Sequence, residues 1–147
     1  MKRLAALGLV FALSAWGPLP ALADATAASA VCPARASEIP VETLYGRWEA
    51  RFGSSAAVAD VRLAPHPDYP GSVRGTIGRS GMDAQLSGDI DNDGFLILDE
   101  SQDGRSISAV WSGEMQPGSF GKEFKGTWRN SSDDSTQPFV LRKTGSP

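Results

Sequence analysis

From Leu44 onward, apolar and polar residues alternate in short runs, and clusters of Gly, Pro, Asp and Ser break the runs at intervals of about ten residues. Successive residues of a strand face opposite sides, so each run sorts into an inward and an outward set. In the first, Leu44, Gly46, Trp48, Ala50 and Phe52 oppose Tyr45, Arg47, Glu49 and Arg51. In the second, Ala57, Ala59, Val61 and Leu63 oppose Val58, Asp60 and Arg62. After a proline-rich turn from Pro65 to Gly71, the third sets Val73, Gly75 and Ile77 inward. The fourth sets Met82, Ala84, Leu86, Gly88 and Ile90 against Asp83, Gln85, Ser87 and Asp89. The fifth, Phe95 to Ser101, is apolar on both faces at its start. The sixth places Ile107, Ala109, Trp111, Gly113 and Met115 inward, the seventh Phe124, Gly126 and Trp128, and the eighth Phe139 and Leu141.

Eight such strands with short connections predict an all-β protein, a single eight-stranded up-and-down antiparallel β-barrel spanning residues 41–147. Closure removes the unpaired edges that an open sheet would expose. Glycines fall on the inward face at 46, 75, 88, 113 and 126. A small closed sheet needs such positions to bend sharply or to let a large neighbour pass. At this strand number the interior is either filled by side chains or holds one small ligand.

The chain ahead of the barrel has a different character. Lys2 and Arg3 precede an apolar stretch from Leu4 to Trp16, followed by Gly17-Pro18 and Ala21-Leu22-Ala23. Residues 1–23 read as a secretory signal peptide cleaved after Ala23, which predicts a periplasmic or extracellular protein. Val31 stands where a lipid-attachment pattern before Cys32 requires a small residue, so no lipoprotein is expected. Residues 24–40, rich in Ala and Ser with Pro33 and Pro40, read as a flexible N-terminal tail. Removing the signal takes two of the 14 basic residues and none of the 17 acidic ones, leaving a mature net charge of −5. That balance, without a Lys/Arg cluster, argues against nucleic acid or an anionic membrane as partner. No later stretch is long and apolar enough for a helix that inserts in a membrane. A lone cysteine, Cys32, makes no internal disulfide, so packing alone must hold the domain.

One segment competes with the barrel reading. Asp89 to Glu100 fits the calcium-loop pattern of an EF-hand, with acidic residues at loop positions 1, 3, 5 and 12, glycine at 6 and an apolar residue at 8. A true EF-hand needs helices on both flanks. Upstream, however, lie Gly78, Gly81 and Gly88, and downstream Asp103-Gly104, while both flanks alternate with period two. Asp91-Asn92-Asp93-Gly94 therefore reads as the hairpin turn between the fourth and fifth strands. Asp91 and Asp93 remain the candidates for a weak cation contact, because acidic turns collect hard cations without helices.

Two stretches carry a resemblance to known proteins. The first is Leu86 to Glu100, followed by Phe124-Lys125-Gly126-Thr127-Trp128 and Pro138-Phe139-Val140-Leu141; the second is Leu44-Tyr45-Gly46-Arg47-Trp48, continuing to Phe52-Gly53-Ser54. Together they resemble small exported bacterial β-barrel proteins of the lipocalin-like and avidin-like superfamily, and because the motifs are mostly architectural the resemblance implies the barrel fold more than a function. In avidins the residue two after the first-strand tryptophan is a biotin-binding asparagine. Here it is Ala50, which removes that contact. Ser54 falls near a family serine that touches the ligand.

Candidate chemistry is sparse. His66 is the sole histidine and sits in a Pro65-His66-Pro67 turn, no serine lies in a nucleophile-elbow pattern, and no transition-metal ligand set exists. The chain is expected to be no enzyme and to need no cofactor. Trp48, Trp111 and Trp128, with Tyr45 or Phe95 nearby, are the expected lining of a barrel mouth that takes a small apolar ligand. Glu100 shares a phase with Leu96 and Leu98. If that face is inward, a buried carboxylate needs a partner, Lys122 or a ligand cation; if Phe95 and Ile97 face inward, Glu100 is in water. The alternative function is an exported inhibitor or immunity-type protein that binds a hydrolase or other partner protein, with residues 24–40 as the blocking element. A further alternative is a calcium-binding protein acting through Asp89 to Glu100.

Overall fold

A computed structural model describes residues 31–33 and 35–147 of the chain. The proposed signal peptide and tail residues 24–30 lie outside the described residues. Two short 3-10 turns, Ala36–Glu38 and Val41–Leu44, precede eight strands: β1 (Gly46–Phe52), β2 (Val58–Pro65), β3 (Val73–Arg79), β4 (Met82–Ile90), β5 (Phe95–Ser101), β6 (Ala109–Met115), β7 (Glu123–Asn130) and β8 (Thr136–Gly145). Each strand pairs antiparallel with the next, and β8 returns to β1, so the sheet is a closed up-and-down barrel. The architecture is consistent with a lipocalin-like fold.

The alternation foreseen along the chain sets the inside and outside of this barrel. Trp48 and Ala50 of β1, Val61 and Leu63 of β2, Leu96 and Leu98 of β5, Trp111 of β6, Phe124 of β7 and Leu141 of β8 are all buried. Fifth-strand ambiguity resolves in favour of Leu96, Leu98 and Glu100 inward, with Ile97 exposed. Strand ends shift where local geometry overrides the period. Leu44 is buried but belongs to the 3-10 turn, Ala57 is exposed ahead of β2, and Ile107 precedes β6 and is exposed.

Inward glycines mark close approaches between neighbouring strands. A Cβ on Gly126 would lie 1.9 Å from the Ser112 carbonyl oxygen, and one on Gly113 would lie 2.7 Å from Cζ of Phe139. The first is a close backbone contact with the neighbouring strand, and the second is the seat of a ring.

The end of the barrel where β1 begins is closed by the 3-10 turn. Trp48 Nε1 donates to the Leu44 carbonyl at 2.8 Å, and Lys143 Nζ donates to the Thr43 carbonyl at 2.5 Å. Lys143 also lies 5.7 Å from the centroid of the Trp48 ring, a cation–π distance. Burial pushes its amine below the usual value, and the nearby Lys122 charge pushes in the same direction. Residues of the described tail reach this same end: Ile39 packs over Gly121, and Ala36 over Gly94.

The acidic segment forms the β4–β5 hairpin turn. Asp91 Oδ1 accepts from the backbone N–H groups of Asp93 at 2.9 Å and Phe95 at 2.8 Å, and Gly94 takes the positive φ of +85° that the turn demands. Among the described residues no helix flanks it, and no group of three or more His, Cys, Asp or Glu is arranged to hold a metal ion.

Candidate functional site

The opposite end, where β1 finishes at Phe52, carries an unusual set of side chains. Glu100 is the last inward residue of β5 and is 1 % exposed, although it carries a carboxylate. Isolated burial of that charge costs several kcal/mol, so its partners decide whether the fold tolerates it. Three donors meet it. Trp111 Nε1 and Trp128 Nε1 each donate to Oε2 at 3.0 Å, and Arg79 Nη2 donates to Oε1 at 2.7 Å.

Register explains how these four residues meet. Trp111 and Trp128 are direct cross-strand partners on β6 and β7, and Trp111 also faces Leu98 of β5. Both indoles therefore stand one layer below Glu100, with their N–H groups turned up toward it. Arg79 ends the inward row Val73, Gly75, Ile77 on β3. It stands at the tip of a hairpin whose two-residue loop, Ser80 and Gly81, has φ of 49° and 78°. Positive φ at both positions is the type I′ geometry that suits the twist of a tight hairpin.

The guanidinium is held by aromatic rings as well as by the Glu100 carboxylate. Its carbon lies 4.8 Å from the Trp128 ring centroid and 5.1 Å from that of Phe52. Phe52 packs edge-on against Trp111 at 5.0 Å and against Trp128 at 6.1 Å. The mouth is thus floored by aromatic rings and capped by one arginine. Above this floor opens a cavity of about 470 Å³, whose lining includes Arg79, Met82, Glu100, Ile107, Trp128 and Asn130. Below it the interior is filled: Trp111 contacts Phe139 at 4.9 Å, and Trp48 contacts Phe124 at 5.9 Å.

The residues singled out in the sequence divide between the two ends. Trp111, Trp128 and Glu100 come together at the Phe52 end. Trp48 and Tyr45 sit at the closed end, Trp48 beneath Lys143 and Tyr45 packed against the core there. Each of Trp48 and Trp111 is the third residue of its strand, but β1 and β6 run in opposite directions, so the same strand position lies at opposite heights. Lys122 is likewise at the closed end, where its carbonyl accepts from the Lys143 N–H, so Glu100 pairs with Arg79 instead. Asp91 and Asp93 lie on the turn at the closed end, away from the cavity.

Arg79 was the residue missed. Its signal was present: it continues the inward row of β3 one step beyond Ile77, as Glu100 continues that of β5 beyond Leu98. Two opposite charges at the last inward positions of two strands that run the same way are a pairing that can be read once closure is assumed. His66 serves its own loop, where Nδ1 accepts from the Asp68 and Tyr69 N–H groups and the ring lies 4.8 Å from that of Tyr69.

Among the described residues, no helix is long and apolar enough to cross a membrane. No protein-family model matches the chain, and none of the curated proteins compared with it matches.

Proposed function

We propose that this chain is an exported, non-enzymatic binding protein that takes a small ligand at the mouth of its barrel, at the Phe52 end. The observation that carries this reading is the 470 Å³ cavity, which opens directly onto the Arg79–Glu100 pair and the Trp128 ring. Its volume lies within the range of small-molecule sites, roughly 300 to 1,000 Å³, and Trp128, Met82 and Ile107 form its apolar part within a mostly polar lining. Because rings fill the interior below, the ligand rests at the mouth rather than deep inside. Its apolar part lies against Trp128, Met82 and Ile107. Export rests on the sequence of residues 1–23. The test is a titration of the folded protein with 2-naphthylmethanol, followed through the indole N–H resonances and assigned with Trp128→Phe. Binding at the mouth moves the Trp128 resonance and leaves Trp48 in place; a Trp128 resonance that stays fixed with this alcohol and with its carboxylate and ammonium analogues rejects the reading.

A second reading, a protein partner docking on the same end, is favoured by one observation. Met82 is 55 % and Ile107 50 % exposed beside the cavity, and Val58 is exposed at the same end. Exposed apolar side chains gathered at one place mark interaction surfaces. In that case Met82→Asp with Ile107→Asp abolishes any inhibition the protein exerts on a hydrolase. Deleting residues 24–40, part of which packs at the other end, leaves that inhibition intact.

A further inference from the structure

Resting on the mouth reading above, we infer that Arg79 is an anion receptor as well as a plug, and that the ligand is an amphiphile bearing a carboxylate on a compact apolar body. A guanidinium carries five N–H donors in a planar fork. Among the described residues Arg79 makes one hydrogen bond, from Nη2 to Glu100 Oε1, and its side chain is 22 % exposed to the cavity. The Trp128 and Phe52 rings lie 4.8 and 5.1 Å from the guanidinium carbon, and its other N–H groups make no hydrogen bond among the described residues. A fixed planar edge with free donors matches the two oxygens of a carboxylate, and such bonds are charge-assisted and geometrically selective.

The buried carboxylate next door does not cancel this site. Glu100 Oε2 is satisfied by two indole N–H groups, so Glu100 engages Arg79 through one oxygen alone. Among the described residues no other acidic side chain lines the cavity. Asn130 adds a polar group at its wall; its Oδ1 is already taken by the Ser132 N–H and hydroxyl, which leaves its amide N–H₂ for a ligand. An organic cation would find the opposite conditions. Arg79 already lies over the Phe52 and Trp128 rings and would repel it.

Three probes of one shape decide the matter: 2-naphthoate, 2-naphthylmethanol and 2-naphthylmethylammonium, each titrated into the folded protein with the Trp128 indole resonance as readout. The carboxylate is expected to bind about tenfold or more tighter than the alcohol, the scale of one charge-assisted bond, and the ammonium weakest of the three. Arg79→Lys keeps a cation but loses the fork and reduces the preference; Arg79→Gln abolishes it. Equal binding of naphthoate and alcohol at Trp128, or tighter binding of the ammonium, overturns the anion assignment while leaving the mouth site standing. If no probe moves Trp128, the mouth reading falls and this inference falls with it. Retention of the full preference in Arg79→Lys overturns the assignment to Arg79 even if Arg79→Gln does not fold.

Discussion

Glu100 shows how a residue with the wrong polarity is kept inside a barrel. Both oxygens are engaged, and no buried side-chain nitrogen or oxygen among the described residues lacks a partner. Removing the acceptor strands two indole N–H groups and a guanidinium at once. Glu100→Leu is therefore expected to destabilise the fold by about 3–5 kcal/mol, the scale for breaking a buried pair from one side. Glu100→Gln keeps an oxygen for the indoles but loses the charge opposite Arg79, and should cost less, about 1–3 kcal/mol. Urea unfolding measures both, and a leucine variant as stable as the glutamine variant would contradict this account. Inward phase placed Glu100 beside Leu98 in the sequence, but phase says which face a residue occupies and not its height. That is why Lys122 appeared as its partner and Arg79 did not.

At the scale of strands and turns, the glycines and the acidic hairpin set the shape. Gly126 and Gly78 both lie within strands, yet their surroundings differ. A Cβ at Gly126 meets the Ser112 carbonyl at 1.9 Å, whereas at Gly78 it meets only the Asp83 side chain at 3.1 Å. Gly126→Ala should cost about 1–3 kcal/mol or more, in the range of overpacked cores, and Gly78→Ala should lie within about 0.5 kcal/mol of the parent. Thermal melts of the two variants check the contrast; equal melting temperatures would remove the close approach as the reason for glycine at 126. The Asp91 to Gly94 turn is closed by its own backbone and by the Asp91 carboxylate. Added calcium is expected to leave the melting temperature unchanged, since a ligand that binds only the folded state must raise it. A calcium-dependent rise would restore the metal reading of Asp91 and Asp93. Period-two alternation predicted the strands well because each has one face in the core. It failed at strand ends such as Ala57 and Ile107, where the chain leaves the ladder and no face is enforced.

Closure is the property of the whole molecule, and surface electrostatics modulate its stability. Three carboxyls sit below their usual values in the folded state: Asp103 through the Ser106 hydroxyl and then the N–H groups of Ser106 and Arg105, Glu123 chiefly through the Arg142 hydrogen bond against an opposing desolvation, and Asp133 through the Ser135 hydroxyl. A depressed carboxyl adds stability that is present above its ordinary value, 3.8 for Asp and 4.5 for Glu, and is lost as pH falls through the folded value. Stability should thus be flat toward neutrality and decline below pH 4.5, with high salt weakening only the Glu123 contribution, which comes from the charged Arg142 and Lys125. A chemical-unfolding series against pH tests this, and a decline that begins above pH 6 would point to groups other than these three. The sequence by itself determined the number of strands, their inward faces, the hairpin at Asp91 to Gly94 and the aromatic character of the core. Each of these follows from local periodicity and turn chemistry, which act over a few residues. Only the tertiary structure decided which inward residues share a height. Strand direction and register carried Trp48 to the closed end and Arg79 to Glu100 at the other, because pairing across a closed sheet joins residues that local periodicity cannot relate.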